Sequence, residues 1–292
     1  MSLYSVVDVG SNTIHLLVGK VEGGAVLPVT GEKISARLGA GVEKTGRLDD
    51  ERLALAAKAI SLFAGIAALN GAPSPEILAT SAVRDAQNGP ELVERVREGT
   101  GLSMRLISGE KEAALGFRGA LSAVRREGPV LVVDLGGGSV QLILGEASEG
   151  PEKRVSLPLG TNRTTERFVE ADPPTDEELG ALREHVPQLL PDWDVGEAEV
   201  VAVGGSARAM LKITNDGLTV ERLWRLSAEV REGSSGVLAR EQGLAPERAR
   251  VLPAAITTLA VILEHFGKEA LLVARGGIRE GTLLALAEGK GI

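Results

Sequence analysis

The 292-residue sequence contains no cysteine, and this absence removes several chemistries at once. Disulfide scaffolds, thiolate zinc sites, iron–sulfur clusters and cysteine nucleophiles are all excluded. Only three histidines are present, His15, His185 and His265, so a histidine-rich metal centre is not expected. A bound metal would be a hard cation held by oxygen atoms, with Mg²⁺ the first expectation and another divalent cation such as Mn²⁺ the alternative.

Aromatic residues and long apolar runs are also scarce. Four phenylalanines, two tryptophans and one tyrosine are too few to favour a surface on which single-stranded bases stack. The formal net charge of −8 argues against a uniformly basic surface for nucleic acid. The first ten residues have neither the basic start nor the apolar core of a secretion signal. We therefore expect a cytoplasmic protein that binds neither nucleic acid nor membrane.

The remaining composition is that of an ordinary globular protein, with 43% hydrophobic and 25% charged residues. Short β-branched runs alternate with segments of helical period, which predicts an α/β fold. The run Val6–Gly10 returns as Val132–Gly136, and each run is followed by a small polar turn and an apolar strand. Asp8 and Asp134 occupy the same point in the two copies. This repeat indicates two homologous halves.

Glycine-rich turns follow four of the predicted strands, and three of them offer phosphate-binding groups. Glycine lets backbone N–H groups approach a ligand closely, and successive N–H groups suit phosphate oxygens. A carboxylate in such a turn repels phosphate unless a cation lies between them, so Asp8 and Asp134 indicate a magnesium-type ion. Each turn alone is also typical of a simple tight turn or helix cap. The candidate phosphate-binding residues are Gly10, Ser11, Asn12, Thr13, Gly136, Gly137, Gly138, Ser139, Gly204, Gly205 and Ser206.

Five segments, taken in order along the chain, resemble the signatures of the exopolyphosphatase and guanosine pentaphosphate phosphatase (Ppx/GppA) family, in its short two-domain form. They are Asp8–His15, Ala79–Ala86, Ile107–Ala113, Val133–Ser139 and Ala274–Gly281. The resemblance implies the fold of the actin, sugar kinase and Hsp70 superfamily: two ribonuclease-H-like α/β domains with an active cleft between them.

The domain limits combine the repeat with this resemblance. We expect a first domain over residues 1–124 and a second over residues 125–278, the second carrying helical insertions. A C-terminal helix over residues 279–292 should return to pack on the first domain. A homodimer is an open possibility.

The resemblance assigns the chemistry to two residues. Glu112 would be the general base and a third metal ligand beside Asp8 and Asp134, and Arg84 would hold phosphate oxygens. From the residues alone, Glu112 and Glu110 both lie in the first turn of a predicted helix, where the helix dipole favours any carboxylate. Glu110 is therefore the alternative base. Arg84 could instead form a surface ion pair with Asp85.

Three further residues belong to the candidate site with less support. His15 could contact phosphate, although a histidine in a strand more often packs structurally. Arg279 could bind an anion or pair with an acid. Gln141 stands where many members of the family carry a glutamate, and a glutamine can neither act as a base nor bring charge to a metal.

The leading functional hypothesis is a magnesium-assisted exopolyphosphatase that removes terminal phosphates from inorganic polyphosphate, with a preference for shorter chains. Guanosine pentaphosphate could be a second substrate, and guanosine tetraphosphate a ligand. Two alternatives remain open: a non-catalytic sensor of polyphosphate or guanosine tetraphosphate, which Gln141 would favour, and an ATP-dependent kinase on the same fold.

Overall fold

The computed structural model describes residues 2–124, 126–215 and 217–290. The chain divides into two compact units, the first formed by Met1–Arg125 with Gly276–Ile292 and the second by Arg126–Arg275. Residues 125, 291 and 292, which fall in the expected second domain and C-terminal helix, lie outside the described residues.

The first unit is a five-stranded sheet covered by helices. Its strands are β1 (Tyr4–Val9), β2 (Ile14–Glu22), β3 (Ala25–Ile34), β4 (Glu76–Ala79) and β5 (Met104–Leu106). Its helices are α1 (Val42–Thr45), α2 (Asp50–Leu69), α3 (Ser81–Asp85), α4 (Gly89–Thr100), α5 (Gly109–Ala123) and α12 (Ile278–Ala287). The sheet order is β3-β2-β1-β4-β5, with the β1–β2 and β2–β3 pairs antiparallel and the others parallel.

The second unit repeats this arrangement with one added edge strand. Its strands are β6 (Pro129–Leu135), β7 (Val140–Glu146), β8 (Gly150–Leu157), β9 (Glu199–Val203), β10 (Leu218–Thr219) and β11 (Ala270–Val273). Its helices are α6 (Thr161–Phe168), α7 (Asp176–His185), α8 (Gly205–Thr214), α9 (Val220–Glu229), α10 (Ser235–Gln242) and α11 (Pro246–His265), with a 3-10 turn at Val186–Leu189. The sheet order is β10-β11-β9-β6-β7-β8.

Both sheets share one topology. Three antiparallel strands are followed by two parallel ones, in the order 3-2-1-4-5 within each unit, and this order defines the ribonuclease-H-like fold. The central strands β1 and β6 are continuous buried valine-rich runs because helices cover both faces of each sheet. The prediction of two ribonuclease-H-like α/β units is confirmed.

The helix boundaries reflect capping and core packing. The Asp49 side chain caps α2 by accepting from the Arg52 N–H, and Leu53, Ile60 and Phe63 form its buried face. By length and composition alone α2 could also cross a membrane, which we did not expect. The helical period of residues 219–242 predicts one helix there, but the structure has two, because α9 ends at Glu229 and α10 begins at Ser235.

Glycines let α12 approach α5 unusually closely. A Cβ atom on Gly119 would lie 1.8 Å from the carbonyl oxygen of Gly277, and one on Gly281 would lie 1.9 Å from that of Leu115. No side chain fits at either position. The segment that resembles the C-terminal signature therefore has a structural role: it packs against the helix whose first turn carries Glu112.

Candidate functional site

The first glycine turn connects β1 and β2. The Gly10 N–H donates to the Thr13 carbonyl over 3.1 Å, which closes the turn. The following loop covers its back, because the Gly39 N–H donates to the Ser11 carbonyl over 2.8 Å and the Arg37 N–H to the Asn12 carbonyl over 2.9 Å. The carbonyl groups of Ser11 and Asn12 therefore point towards the loop that contains Arg37 and Gly39.

Glu112 and Arg84 lie in direct contact in this unit. An Arg84 Nη1 donates to Glu112 Oε2 over 3.1 Å and to the Ile107 carbonyl over 3.0 Å. Glu112 is only 9% exposed and lies in the first turn of α5, after the capping Ser108, whose hydroxyl accepts from the Lys111 N–H. A buried carboxylate paired with a guanidinium in a helix first turn is strongly held in position.

The alternatives raised for these two residues also have a structural outcome. Arg84 Nε lies 3.4 Å from Asp85 Oδ1, so the surface ion pair exists beside the pair with Glu112. Glu110 is exposed to solvent on the same helix turn, whereas Glu112 is buried. Burial therefore distinguishes Glu112 from Glu110.

Three of the predicted site residues, Asp8, His15 and Arg279, lie next to one another beside the first turn. Asp8 and His15 are directly opposite each other in the β1–β2 pair. Arg279 Nη1 lies 3.1 Å from His15 Nδ1. Because a guanidinium only donates, Nδ1 accepts and the neutral ring carries its proton on Nε2. Arg279 thus fixes the tautomer of His15.

The second turn, Gly136–Ser139, has two of its carbonyls bound by the start of helix α6. The Thr161 N–H donates to the Gly136 carbonyl over 2.9 Å and the Asn162 N–H to that of Gly137 over 2.8 Å. Within the described ranges, the N–H groups of residues 137–139 have no protein acceptor. Consecutive N–H groups of this kind form an anion-binding concavity.

Behind this turn, Gln141 contacts two serines. Its amide nitrogen donates to Ser139 Oγ over 2.7 Å and to Ser156 Oγ over 3.0 Å. Gln141 is 1% exposed and is the residue opposite Asp134 in the β6–β7 pair. The position of the expected glutamate is therefore occupied by a neutral donor.

The third turn, Gly204–Ser206, leads from β9 into α8, and β9 pairs with β6 beside the second turn. Gly204 has a φ of 111°, and a Cβ atom there would lie 2.5 Å from the Leu135 carbonyl oxygen. The fully buried Ser206 hydroxyl accepts from Arg248 Nη1 over 2.6 Å. Burial lowers the pKa of the Arg248 guanidinium, and the nearby charge of Arg208 acts in the same direction.

Arg248 is the site residue that sequence reasoning missed. It lies in the first turn of α11, 42 residues after Ser206, so no spacing pattern connects the two. The only available signal was an arginine in the first turn of a helix, where the dipole disfavours a cation.

The oxygen donors agree in chemistry with a Mg²⁺ site but form no closed cage. Among the described residues, no group of three or more His, Asp or Glu side chains could surround a metal. Mg²⁺ usually keeps several waters and uses one or two carboxylates together with phosphate oxygens. Asp8 and Asp134 are each half-buried near the end of the central strand of their own unit, so each offers a single carboxylate of the kind that this open mode uses.

Comparisons with known proteins agree with the fold. Residues 17–289 match the model of the Ppx/GppA phosphatase family. Exopolyphosphatase 1 of Mycobacterium tuberculosis is 31% identical, over 96% of this chain and 86% of its own length. A guanosine-5′-triphosphate,3′-diphosphate pyrophosphatase of Vibrio cholerae is 28% identical over 98% of this chain, which spans 59% of that protein.

A solved structure supports the same relationship. The crystal structure of the Aquifex aeolicus member of the Ppx/GppA family superposes with a TM-score of 0.83 at 26% identity, covering 99% of this chain and 98% of the other. Two ribonuclease-H-like units with glycine turns at the ends of their strands thus define the class of protein. The chain belongs to the Ppx/GppA phosphatase family, as its sequence signatures predicted.

Proposed function

We propose that this protein is an exopolyphosphatase, a phosphoanhydride hydrolase that removes terminal phosphate groups from inorganic polyphosphate. The observation that carries the proposal is the buried Glu112–Arg84 pair at the start of α5. It places a fixed carboxylate, the usual group for activating water, beside a guanidinium suited to phosphate. The similarity to exopolyphosphatase 1 of Mycobacterium tuberculosis points to the same substrate class.

In the proposed mechanism, Glu112 accepts a proton from a water molecule that attacks the terminal phosphorus in line. Arg84 holds the Glu112 carboxylate in place and offers its remaining N–H groups to a phosphate oxygen. The N–H groups of the second turn bind phosphate oxygens and stabilise the charge that develops on them. The P–O bond to the shortened chain breaks as the water oxygen bonds to phosphorus, so no covalent enzyme intermediate is required.

Mg²⁺ is the proposed cofactor, with Mn²⁺ as a possible substitute. When bound, it would neutralise negative charge on the phosphate oxygens. Asp8 and Asp134 are the carboxylates proposed to hold it, and Glu112 as a further ligand stays a prediction. The cytoplasmic location and the homodimer also stay predictions.

The decisive experiment measures phosphate release from polyphosphates of defined length, with Mg²⁺ and with a chelator. We expect Mg²⁺-dependent release of one phosphate at a time, fastest on short chains. Tight polyphosphate binding without release would instead identify a sensor. Formation of ADP from ATP in the presence of an acceptor would identify a kinase.

Guanosine pentaphosphate is a second candidate substrate, favoured by the similarity to the Vibrio cholerae pyrophosphatase. Its terminal 5′-phosphate is joined by the same phosphoanhydride bond as the end of polyphosphate. The same assay with guanosine pentaphosphate should release one phosphate per molecule and leave guanosine tetraphosphate. Failure of this arm alone would restrict the activity to polyphosphate.

A further inference from the structure

The hydrogen bonds of Gln141 determine which way the Ser139 hydroxyl can point. A side-chain amide nitrogen carries two hydrogens and no available lone pair. In this structure one hydrogen goes to Ser139 Oγ over 2.7 Å and the other to Ser156 Oγ over 3.0 Å. Ser139 therefore accepts at this contact and must donate its own proton elsewhere.

No described protein group takes that proton. Ser139 is 5% exposed, and within the described ranges its hydroxyl has no contact other than the one from Gln141. The hydroxyl lies at the end of the turn whose N–H groups at residues 137–139 also lack protein acceptors. The turn thus offers four donors and, at these four groups, no acceptor. A fully ionised phosphate oxygen is an acceptor only, so it complements such a turn.

We propose that Gln141 is a positioning residue that fixes Ser139 as a fourth hydrogen-bond donor of the phosphate turn. This inference rests on the proposed function, since it names what selects the phosphate group at that site. A glutamate here would be acceptor-only when ionised. It would take the Ser139 proton, turn the serine lone pairs towards the ligand, and add negative charge beside it.

Because Gln141 is buried, a substitution at this position should act on the two serines that it contacts. At 1% exposure the side chain has no route to solvent, so a replacement must act on the same two serines. Methionine has nearly the same length and no donor, and it would leave the Ser139 hydroxyl free to rotate. Glutamate would reverse the polarity, so Gln141→Glu should be worse than Gln141→Met.

The test measures equilibrium binding of imidodiphosphate, a non-hydrolysable phosphoanhydride analogue, together with KM and kcat for tripolyphosphate. A charged hydrogen bond corresponds to a change of about tenfold or more in affinity. We expect Gln141→Met and Ser139→Ala each to weaken binding by about five- to tenfold, and Gln141→Glu by more than about tenfold. KM should rise accordingly while kcat changes less than about threefold.

A double variant and a matched control separate positioning from packing. If Gln141 acts through Ser139, Gln141→Met should weaken binding no further once Ser139→Ala is present. Ser156→Ala removes the other acceptor of the same amide and should change binding less than about twofold. Losses that add fully in the double variant, or equal losses in Ser156→Ala and Gln141→Met, would overturn the proposal.

The binding arm is independent of turnover. If wild-type protein releases no phosphate but binds imidodiphosphate with the expected dependence on Gln141, the proposed hydrolysis fails and the positioning role stands. If wild-type protein is an active exopolyphosphatase and Gln141→Glu binds imidodiphosphate as tightly as wild type, the positioning role fails and the hydrolase stands. Melting temperatures of all variants show which of them remain folded.

Discussion

In the first unit the residue opposite the turn aspartate is His15, whereas in the second unit it is Gln141. His15 accepts a hydrogen bond from the cationic Arg279, while Gln141 donates to two neutral serines. The two positions are equivalent in the repeated topology. The position opposite the aspartate is therefore bonded to a cationic arginine in the first unit, whereas in the second unit it holds a neutral hydrogen-bond donor.

The helices that begin near the strand ends also differ between the two units. In the first unit, α5 begins beside Arg84 and brings a buried glutamate to the strand ends. In the second unit, helices α6 and α8 begin next to glycine turns, and neither helix has an acidic residue in its first turn. In the proposed mechanism, proton transfer therefore falls to the first unit and phosphate binding to the second.

The largest expected effect comes from a substitution that tests the proposed role of the first unit in proton transfer. Glu112→Gln removes the proposed base but keeps the shape and one acceptor of the side chain. We expect kcat for tripolyphosphate to fall by about 10²- to 10⁴-fold, the usual contribution of a general base. Glu110→Gln, on the same helix turn but exposed, should remain within about threefold of wild type. Similar losses in both variants would show a general charge effect.

The next effect concerns the partner of the base. Arg84→Lys keeps the charge but replaces the planar guanidinium, whose Nη1 donates to both Glu112 Oε2 and the Ile107 carbonyl. We expect kcat to fall about ten- to a hundredfold, since a charged hydrogen bond contributes roughly 1.5–3 kcal/mol.

The matched control for Arg84 is Asp85→Asn, which removes the ion pair to Arg84 Nε at 3.4 Å. Steady-state rates should then change less than about twofold, because exposed ion pairs contribute little. A larger loss in Asp85→Asn than in Arg84→Lys would return Arg84 to a purely surface role.

A smaller effect is expected from a substitution that displaces the second turn, Gly136–Ser139. A Cβ atom on Gly160 would lie 2.2 Å from the Gly138 carbonyl carbon, so Gly160→Ala must displace the turn. Such overpacking costs about 1–3 kcal/mol of unfolding free energy, and imidodiphosphate binding should weaken with it. Gly180→Ala, on open helix surface in α7, should instead be neutral or stabilising by up to about 1 kcal/mol. Denaturant titrations of both variants give the comparison.

The smallest effect concerns a part of the second unit outside the turns. Burial tends to raise the pKa of Glu178, but backbone N–H groups of Ala171, Thr175 and Glu170 outweigh it and hold the pKa below its ordinary value. A lowered folded pKa stabilises the protein above the unfolded pKa and loses that contribution as pH falls through the folded value.

Glu178→Gln should therefore lower the melting temperature by about 1–2 °C at pH 7. The difference from wild type should shrink below about pH 4. A difference that grows as the pH falls would contradict the lowered pKa.

The repeat of Asp8 and Asp134 was enough to predict the two-unit fold, because equivalent strands need equivalent buried runs. The edge strands β3 and β8 were not predicted. Residues 25–34 carry Pro28 and Gly31 and are largely exposed, while β8 is mostly half-buried, so neither strand shows the apolar pattern of a core strand.

The candidate site likewise combines features that local sequence predicts with contacts between segments that are distant in the chain. The glycine turns and the first-turn Glu112 are local signals that the sequence displays. The helix α6 behind the second turn and the bond from Arg248 to Ser206 join segments about 25 and 42 residues apart. Such contacts depend on tertiary packing, which no periodicity in the chain encodes.

The most direct test of this division of roles measures imidodiphosphate binding to wild-type protein and to the Glu112→Gln variant, since this ligand is not hydrolysed by either. We expect the two Kd values to lie within about threefold of each other, and Ser139→Ala on the Glu112→Gln background to raise the Kd about five- to tenfold. Loss of binding in Glu112→Gln itself, with no further effect of Ser139→Ala, would contradict the assignment of chemistry to the first unit and phosphate binding to the second.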